Sequence, residues 1–203
     1  MDQSNKSFWE RFAFLYTGFM KKNDSAYTEL SSKIRKHLKK TDSVLELACG
    51  TGQLTYRLAS SVKSWYATDF SPKMIEEAKK LRKDKMVKFE VADATALQYK
   101  DQSFDAVVIA NALHIMPDPE KALSEINRVL KPGGSLFAPT FVYDGNYNKV
   151  LIWLMEKAGF HTYHKWKTSE LKEFVTAHGF VIVSSEAVKA KPLEECMIIA
   201  GKK

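Results

Sequence analysis

Val44-Leu45-Glu46-Leu47-Ala48-Cys49-Gly50-Thr51-Gly52-Gln53-Leu54-Thr55 reads as a strand, a tight small-residue turn and the start of a helix. Val44, Leu45, Leu47 and Ala48 are apolar and surround a single acid, Glu46, at the end of the strand. Cys49 to Gly52 then supply a turn in which the backbone can approach a small ligand closely. Two glycines alone decide little. Glu46 decides more, because it is expected to face whatever the turn holds.

The same pattern repeats on either side of this unit. Trp65 to Phe70 is a second strand ending in Asp69, and Ser71-Pro72 caps and opens a helix over 72–83. Residues 86–92 form a third strand ending at Asp93. Residues 104–110 form a fourth, apolar enough to be central and covered on both faces. A helix over 120–130, a turn at Lys131-Pro132-Gly133-Gly134 and a fifth strand over 135–140 follow. Helices at 148–158 and 169–177 lead to strands at 180–188 and 196–201. Only Lys189 to Glu195 separate these last two strands, too short for a crossover helix, so they pair antiparallel. The expected fold is α/β: a doubly wound, Rossmann-like sheet, mostly parallel with an antiparallel last strand, and helices on both faces. No repeat or linker divides residues 1–203, which read as one domain. Its first 40 residues form helices (7–20 and 25–39), and the aromatic-rich first one is a candidate lid.

Composition bounds the function. Hydrophobic content of 45% and charged content of 27% suit a folded soluble chain. The net charge of +7 admits an anionic partner, but only five of the 31 basic residues are arginine, which disfavours sequence readout of nucleic acid. No apolar run approaches the ~20 residues that cross a bilayer. Residues 1–6 lack a secretion signal, and Cys49 and Cys196 lie in unlike contexts, so a cytoplasmic location is expected.

Ligands of such sheets sit beyond the carboxyl ends of the strands. Those ends present Glu46, Asp69, Asp93 and Asn111. A pyrophosphate placed ~5 Å from Glu46 would meet roughly 3 kcal/mol of repulsion at an effective dielectric of ~20. A dinucleotide fingerprint starting at Gly50 would also need a small residue where Thr55 stands. A cationic guest with vicinal hydroxyls fits better, with Asp69 accepting from a ribose and Asp93 from an adenine amino group.

Glu46-x-x-x-Gly50-x-Gly52, Asp69, Asp93-Ala94, Phe104-Asp105-x-Val107 and Leu130-Lys131-Pro132-Gly133-Gly134 resemble, in order and spacing, the motifs of class I S-adenosylmethionine-dependent methyltransferases. The ubiquinone/menaquinone-biosynthesis-like small-molecule group is the nearest in character, and Phe8-Trp9 through Tyr16 resembles its N-terminal helix. The resemblance implies S-adenosyl-L-methionine as cofactor and a small-molecule methyl acceptor. It implies that Glu46 and the Ala48–Gly52 backbone (Ala48, Gly50, Gly52) hold the methionine portion. Asp69 would bind both ribose hydroxyls, Phe70 and Met74 would flank the adenine, and Asp93 and Ala94 would meet its edge. The main chain at Ala110 and Asn111 would receive the ammonium. Ala48 replaces a common glycine, a tolerable change if its φ is negative. Thr17 replaces an aspartate that often follows the N-terminal tyrosine, which loosens the role of Tyr16 as a cofactor contact.

His114, just after the fourth strand, is the candidate catalytic base, since an ordinary histidine titrates near neutrality. Tyr143, Tyr147, His161, Tyr163, His164 and Trp166 are a candidate substrate wall. His161 and His164 lack the further ligands a metal needs, so no metal site is expected. The competing readings are an RNA or protein methyltransferase, an NAD(P)-binding oxidoreductase and a non-catalytic nucleotide-binding protein.

Overall fold

The computed structural model describes residues 23–81, 86–144, 149–157, 160–191 and 193–203. The elements, in chain order, are α1 (Asp24–Arg35), β1 (Ser43–Leu47), α2 (Thr55–Leu58), β2 (Ser64–Asp69), α3 (Pro72–Lys80), β3 (Val87–Val91), β4 (Phe104–Ile109) and α4 (Pro119–Val129). They continue with β5 (Leu130–Phe141), α5 (Lys149–Lys157), α6 (Thr168–Ala177), β6 (Phe180–Val188) and β7 (Glu195–Lys202). The seven strands form one sheet in the order β3-β2-β1-β4-β5-β7-β6. Strands β1 to β5 pair in parallel, whereas β7 runs antiparallel to both β5 and β6. The expected doubly wound sheet and its antiparallel last strand are therefore present. The order reverses between β1 and β4, which opens the crevice there.

Strand pleating divides the core into two layers. Leu45, Leu47, Val107, Ile109, Leu136 and Ile198 face α4 and α6, which contribute Leu123, Ile126, Leu171 and Val175. Val44, Trp65, Ala67, Val108, Phe137 and Ile199 face the other side, against Leu30 and Ile34 of α1, Leu58 of α2 and Ile75 and Ala78 of α3. Burial on both faces accounts for the nearly unbroken apolar run of β4. Ser71 caps α3 by accepting from the Met74 amide at 3.3 Å, and Pro72 sits where its missing N–H costs nothing.

Two expectations need correction. The helix after the turn is shorter than the sequence pattern, with α2 giving way to a 3-10 turn at Ala59–Ser61. The Lys131-Pro132-Gly133-Gly134 segment is not a turn before β5 but a bulge within it. Leu130 already pairs with Phe104, and pairing resumes in shifted register at Ser135 opposite Ala106. Gly133 takes φ +71, and Lys131 closes the bulge with an ion pair to Asp105 at 2.7 Å. The proposed lid helix over 7–20, with Tyr16, lies outside the described residues, as does Tyr147.

Candidate functional site

The ends of β1 and β2 are joined through the turn. Asp69, the last residue of β2, accepts from the Gly50 amide at 2.9 Å with Oδ2 and from the Ser71 amide at 2.8 Å with Oδ1. Cys49 donates its amide to Thr68 at 2.9 Å, and Gly52 donates to the Cys49 carbonyl at 2.9 Å. The amides of Cys49, Gly50 and Gly52 are thus already engaged, one of them by a carboxylate. A diphosphate would meet an unfavourable charge there.

Glu46 projects into the α1–α3 layer rather than straight into the turn. It is 2% exposed and accepts from the Thr55 hydroxyl and from Trp65 Nε1, the latter at 2.7 Å. Thr55, which breaks a dinucleotide fingerprint, here anchors the start of α2 to β1. Burial lifts the Glu46 carboxyl to about 7, with the Asp69 charge adding to the shift and the two hydrogen bonds opposing it. Burial likewise lifts Asp69 to about 6, against the pull of its two backbone donors. Among the described residues no lysine or arginine pairs with either group. Two buried carboxyls without a countercharge fit a cationic guest.

A small recess opens beside them, lined by Ala48, Thr68, Phe70, Ala92, Asp93, Ala94, Thr95 and Met116. It brings together the expected adenine contacts Phe70, Asp93 and Ala94. Thr68, Thr95 and Met116 were not legible as lining residues. Asp93 Oδ1 accepts from both the amide and the hydroxyl of Thr95, at 2.9 and 2.7 Å, which fixes the carboxylate at the rim. Met74 is buried in the first turn of α3 and is not part of the recess lining. The loop carrying Asp93 and Ala94 is braced from α4 by residues the sequence reading passed over. Glu125 accepts from the Leu97 amide at 2.7 Å, and Arg128 donates to the carbonyls of Tyr99 and Leu97 at 2.7 and 3.0 Å.

The condition placed on Ala48 is not met: its φ is +53, in the left-handed region. The chain must reverse tightly between β1 and the turn, and an alanine there carries roughly 1–2 kcal/mol of strain. Replacing Ala48 with glycine is therefore expected to raise the unfolding free energy by about 1 kcal/mol, measured by denaturant titration. Asn111 also sits at positive φ, +52, which asparagine tolerates better.

Ala110 and Asn111 follow β4, and the Asn111 amide is held by the Pro139 carbonyl at 2.8 Å. His114 lies on the adjoining 3-10 turn, Leu113–Ile115, buried and edge-on to the Phe141 ring at 5.6 Å. Burial, helped by nearby His164, lowers it to about 3. His114 is therefore a neutral hydrogen-bonding group at physiological pH, and a weak base. The Tyr163 and His164 amides donate to the His114 carbonyl at 3.0 and 3.1 Å, and the His164 ring stacks on Trp166 at 4.7 Å. The Tyr143 amide donates to the Trp166 carbonyl at 2.9 Å. These main-chain bonds tie the segments carrying Tyr143 and residues 163–166 to the ends of β4 and β5, with Tyr163 42% exposed and His161 exposed. Among the described residues no group of His, Cys, Asp and Glu could hold a metal, and no helix is long and apolar enough to cross a membrane.

Comparison with known proteins agrees with this geometry. A family model described as a methyltransferase domain matches residues 45–138. The demethylmenaquinone methyltransferase of Clavibacter sepedonicus is 45% identical over 96 residues, covering 47% of this chain and 39% of the relative. The chain thus matches about two fifths of the length of such a relative. Among solved structures, a chain in the complex between the Haloferax volcanii Trm112 methyltransferase activator and a methyltransferase shares the fold. Its TM-score is 0.80 at 18% identity, with 96% of this chain and 97% of that one covered. The 1,6-didemethyltoxoflavin-N1-methyltransferase of Burkholderia thailandensis, solved with its acceptor and S-adenosylhomocysteine, gives a TM-score of 0.77 at 21% identity, over 98% and 88% of the two chains. Over residues 45–138, then, the chain matches the methyltransferase-domain family model and is similar to demethylmenaquinone methyltransferases.

Proposed function

We propose that the whole chain, acting as one domain, transfers a methyl group from S-adenosyl-L-methionine to a small, neutral, quinol-like acceptor. The observation that carries this reading is the pair Glu46 and Asp69, buried, adjacent and without a cationic partner among the described residues, at the switch point of the sheet. The acceptor class is supported by the demethylmenaquinone methyltransferase relatives.

In this reading Asp69 accepts from the ribose hydroxyls. Phe70 and Ala94 enclose the adenine, and Asp93 takes its amino group. Glu46 and the Ala48–Gly52 backbone hold the methionine end, with Gly50 fixed by Asp69, and Ala110 and Asn111 lie beside its ammonium. When bound, the cofactor supplies a methyl group on a positively charged sulfur, already activated for displacement. The chain's own contribution is alignment and exclusion of water, and orientation of this kind supplies ~7–11 kcal/mol. A cytoplasmic setting is part of the same proposal, supported by two buried free thiols that suit a reducing compartment.

Incubation with S-adenosyl-[methyl-³H]methionine tests the reading. Label is expected in 1,4-dihydroxynaphthalene, used as a quinol probe, and in neither RNA nor protein fractions. Label confined to RNA or protein would replace the small-molecule reading with a macromolecular one.

A further inference from the structure

Among the described residues six buried side-chain nitrogen or oxygen atoms lack a hydrogen-bond partner, and all six belong to Asn111, His114, Thr162, His164 and Glu195. Folded proteins satisfy nearly all such atoms, so a cluster of exceptions asks for an explanation. These five residues lie on segments that converge at the carboxyl end of β4 and β5, with Asn111 against Glu195 and His164 against His114. Asn111 and His114 follow β4, and the segment carrying Thr162 and His164 is pinned to the His114 carbonyl by two amides. Glu195 opens β7, opposite Phe141 at the end of β5, and the Val142 amide donates to Glu194 at 3.0 Å, fixing where that strand begins. Glu195 is 1% exposed, and its Oε2 is unpartnered. The flat faces nearby are those of Phe141 and Trp166.

We propose that Glu195, with Asn111 beside it and His114 across the Phe141 ring, forms the acceptor end of the site and takes the proton of a hydroxyl carried on a flat aromatic ring. The assignment rests on the methyltransferase reading and adds a residue from outside the 45–138 segment. Beside its unpartnered Oε2, ionisation favours Glu195 over His114 as the base. Burial raises the Glu195 carboxyl to about 7, Asn111 being the one neighbour that opposes it, whereas His114 is held near 3. A base titrating near the working pH is the more effective. The orphaned donors and acceptors of Asn111, Thr162, His114 and His164 are neutral groups suited to a ring bearing oxygen. Among the described residues no lysine or arginine hydrogen-bonds to any of the five, so nothing described there favours a phosphorylated acceptor.

In the step, the acceptor O–H bond breaks and its proton passes to Glu195 Oε2. The electron pair remains on the acceptor, in the oxygen or delocalised to the ring carbon beside it. That pair forms the new bond to the methyl carbon as the methyl–sulfur bond breaks, and the pair of the broken bond stays on sulfur as a neutral thioether. If the ring carbon attacks, its own proton passes to water to restore the aromatic ring, and Glu195 returns the first proton to the ring oxygen.

The test compares binding of 1-naphthol and 1-methoxynaphthalene to the protein loaded with S-adenosylhomocysteine, by calorimetry at pH 8. The wild-type chain is expected to prefer the naphthol by at least about tenfold, and Glu195→Gln to reduce that preference to within about threefold. S-adenosylhomocysteine affinity should be unchanged in the variant, and its melting temperature at pH 8 should not fall, since the glutamine relieves a buried charge. Where the wild-type chain methylates the quinol probe, kcat should fall by about 10²-fold or more in Glu195→Gln. Equal wild-type affinity for the two naphthalenes, a result that needs no variant, would overturn the assignment, as would a preference that survives Glu195→Gln. Failure of the wild-type chain to bind S-adenosylhomocysteine would instead strike the methyltransferase reading itself.

Discussion

Asp69→Ala should weaken S-adenosylhomocysteine binding by about 100-fold or more while leaving the stability of the ligand-free chain nearly unchanged. The asymmetry follows from the balance at this residue. Asp69 holds the Gly50 and Ser71 amides, and losing both hydrogen bonds costs about 3 kcal/mol at the lower end for bonds to a charged group. Against this, burial holds the carboxyl at about 6 rather than 3.8 even with both bonds made, so removing the buried charge at neutral pH offsets their loss. The two effects oppose each other in the free chain. With cofactor present there is no such offset, because two further charge-assisted hydrogen bonds to vicinal hydroxyls are lost. Calorimetric titration and thermal melting measure the two quantities separately. Unchanged affinity would remove Asp69 from the ribose position.

Glu46→Gln should act in opposite directions on stability and binding. The Glu46 carboxyl titrates at about 7 in the folded chain against an ordinary 4.5, so the folded state holds its proton longer than the unfolded state. A group raised in this way contributes stability fully below about pH 4.5, and that contribution fades as pH climbs through about 7. Glutamine can still accept from Thr55 and Trp65 but never ionises. The variant should therefore match the wild type near pH 5 and exceed it by up to about 3 kcal/mol near pH 8. Its cofactor affinity should fall about tenfold or more at pH 8, because half of the uncompensated negative charge is gone. Chemical denaturation at pH 5, 6.5 and 8 reads the first effect. A stability gap independent of pH would show that Glu46 carries no buried charge.

Much of this arrangement was legible in the chain itself. The alternation of apolar runs with amphipathic helices dictated the parallel sheet, and the short connection from Lys189 to the last strand dictated the antiparallel pair. Glu46, Asp69 and Asp93 could be placed because strand ends are marked by acids followed by small or capping residues. What escaped the reading depends on contacts distant in sequence. Lys131-Pro132-Gly133-Gly134 carries every local mark of a turn, yet pairing of Leu130 with Phe104 draws it into β5 as a bulge. The positive φ of Ala48 is set by the reversal at the strand end and not by the residue's own preference. Glu195 looks like an ordinary polar residue before an apolar strand. Only the sheet order, which sets β7 beside β5, brings it to Asn111. His114 could be named as a candidate from its place after β4, but its depth of burial was not legible, and depth turns a familiar base into a neutral group.

The claim on which all of this depends is that the two buried carboxyls at the sheet's crevice receive a positively charged nucleoside. Isothermal titration of the chain with S-adenosylmethionine and with NADH, each at pH 6 and pH 8, tests it most directly. S-adenosylmethionine should bind at both values and more tightly at pH 8, where Glu46 and Asp69 are ionised, and NADH should bind at neither. NADH binding that S-adenosylmethionine cannot displace would contradict the account.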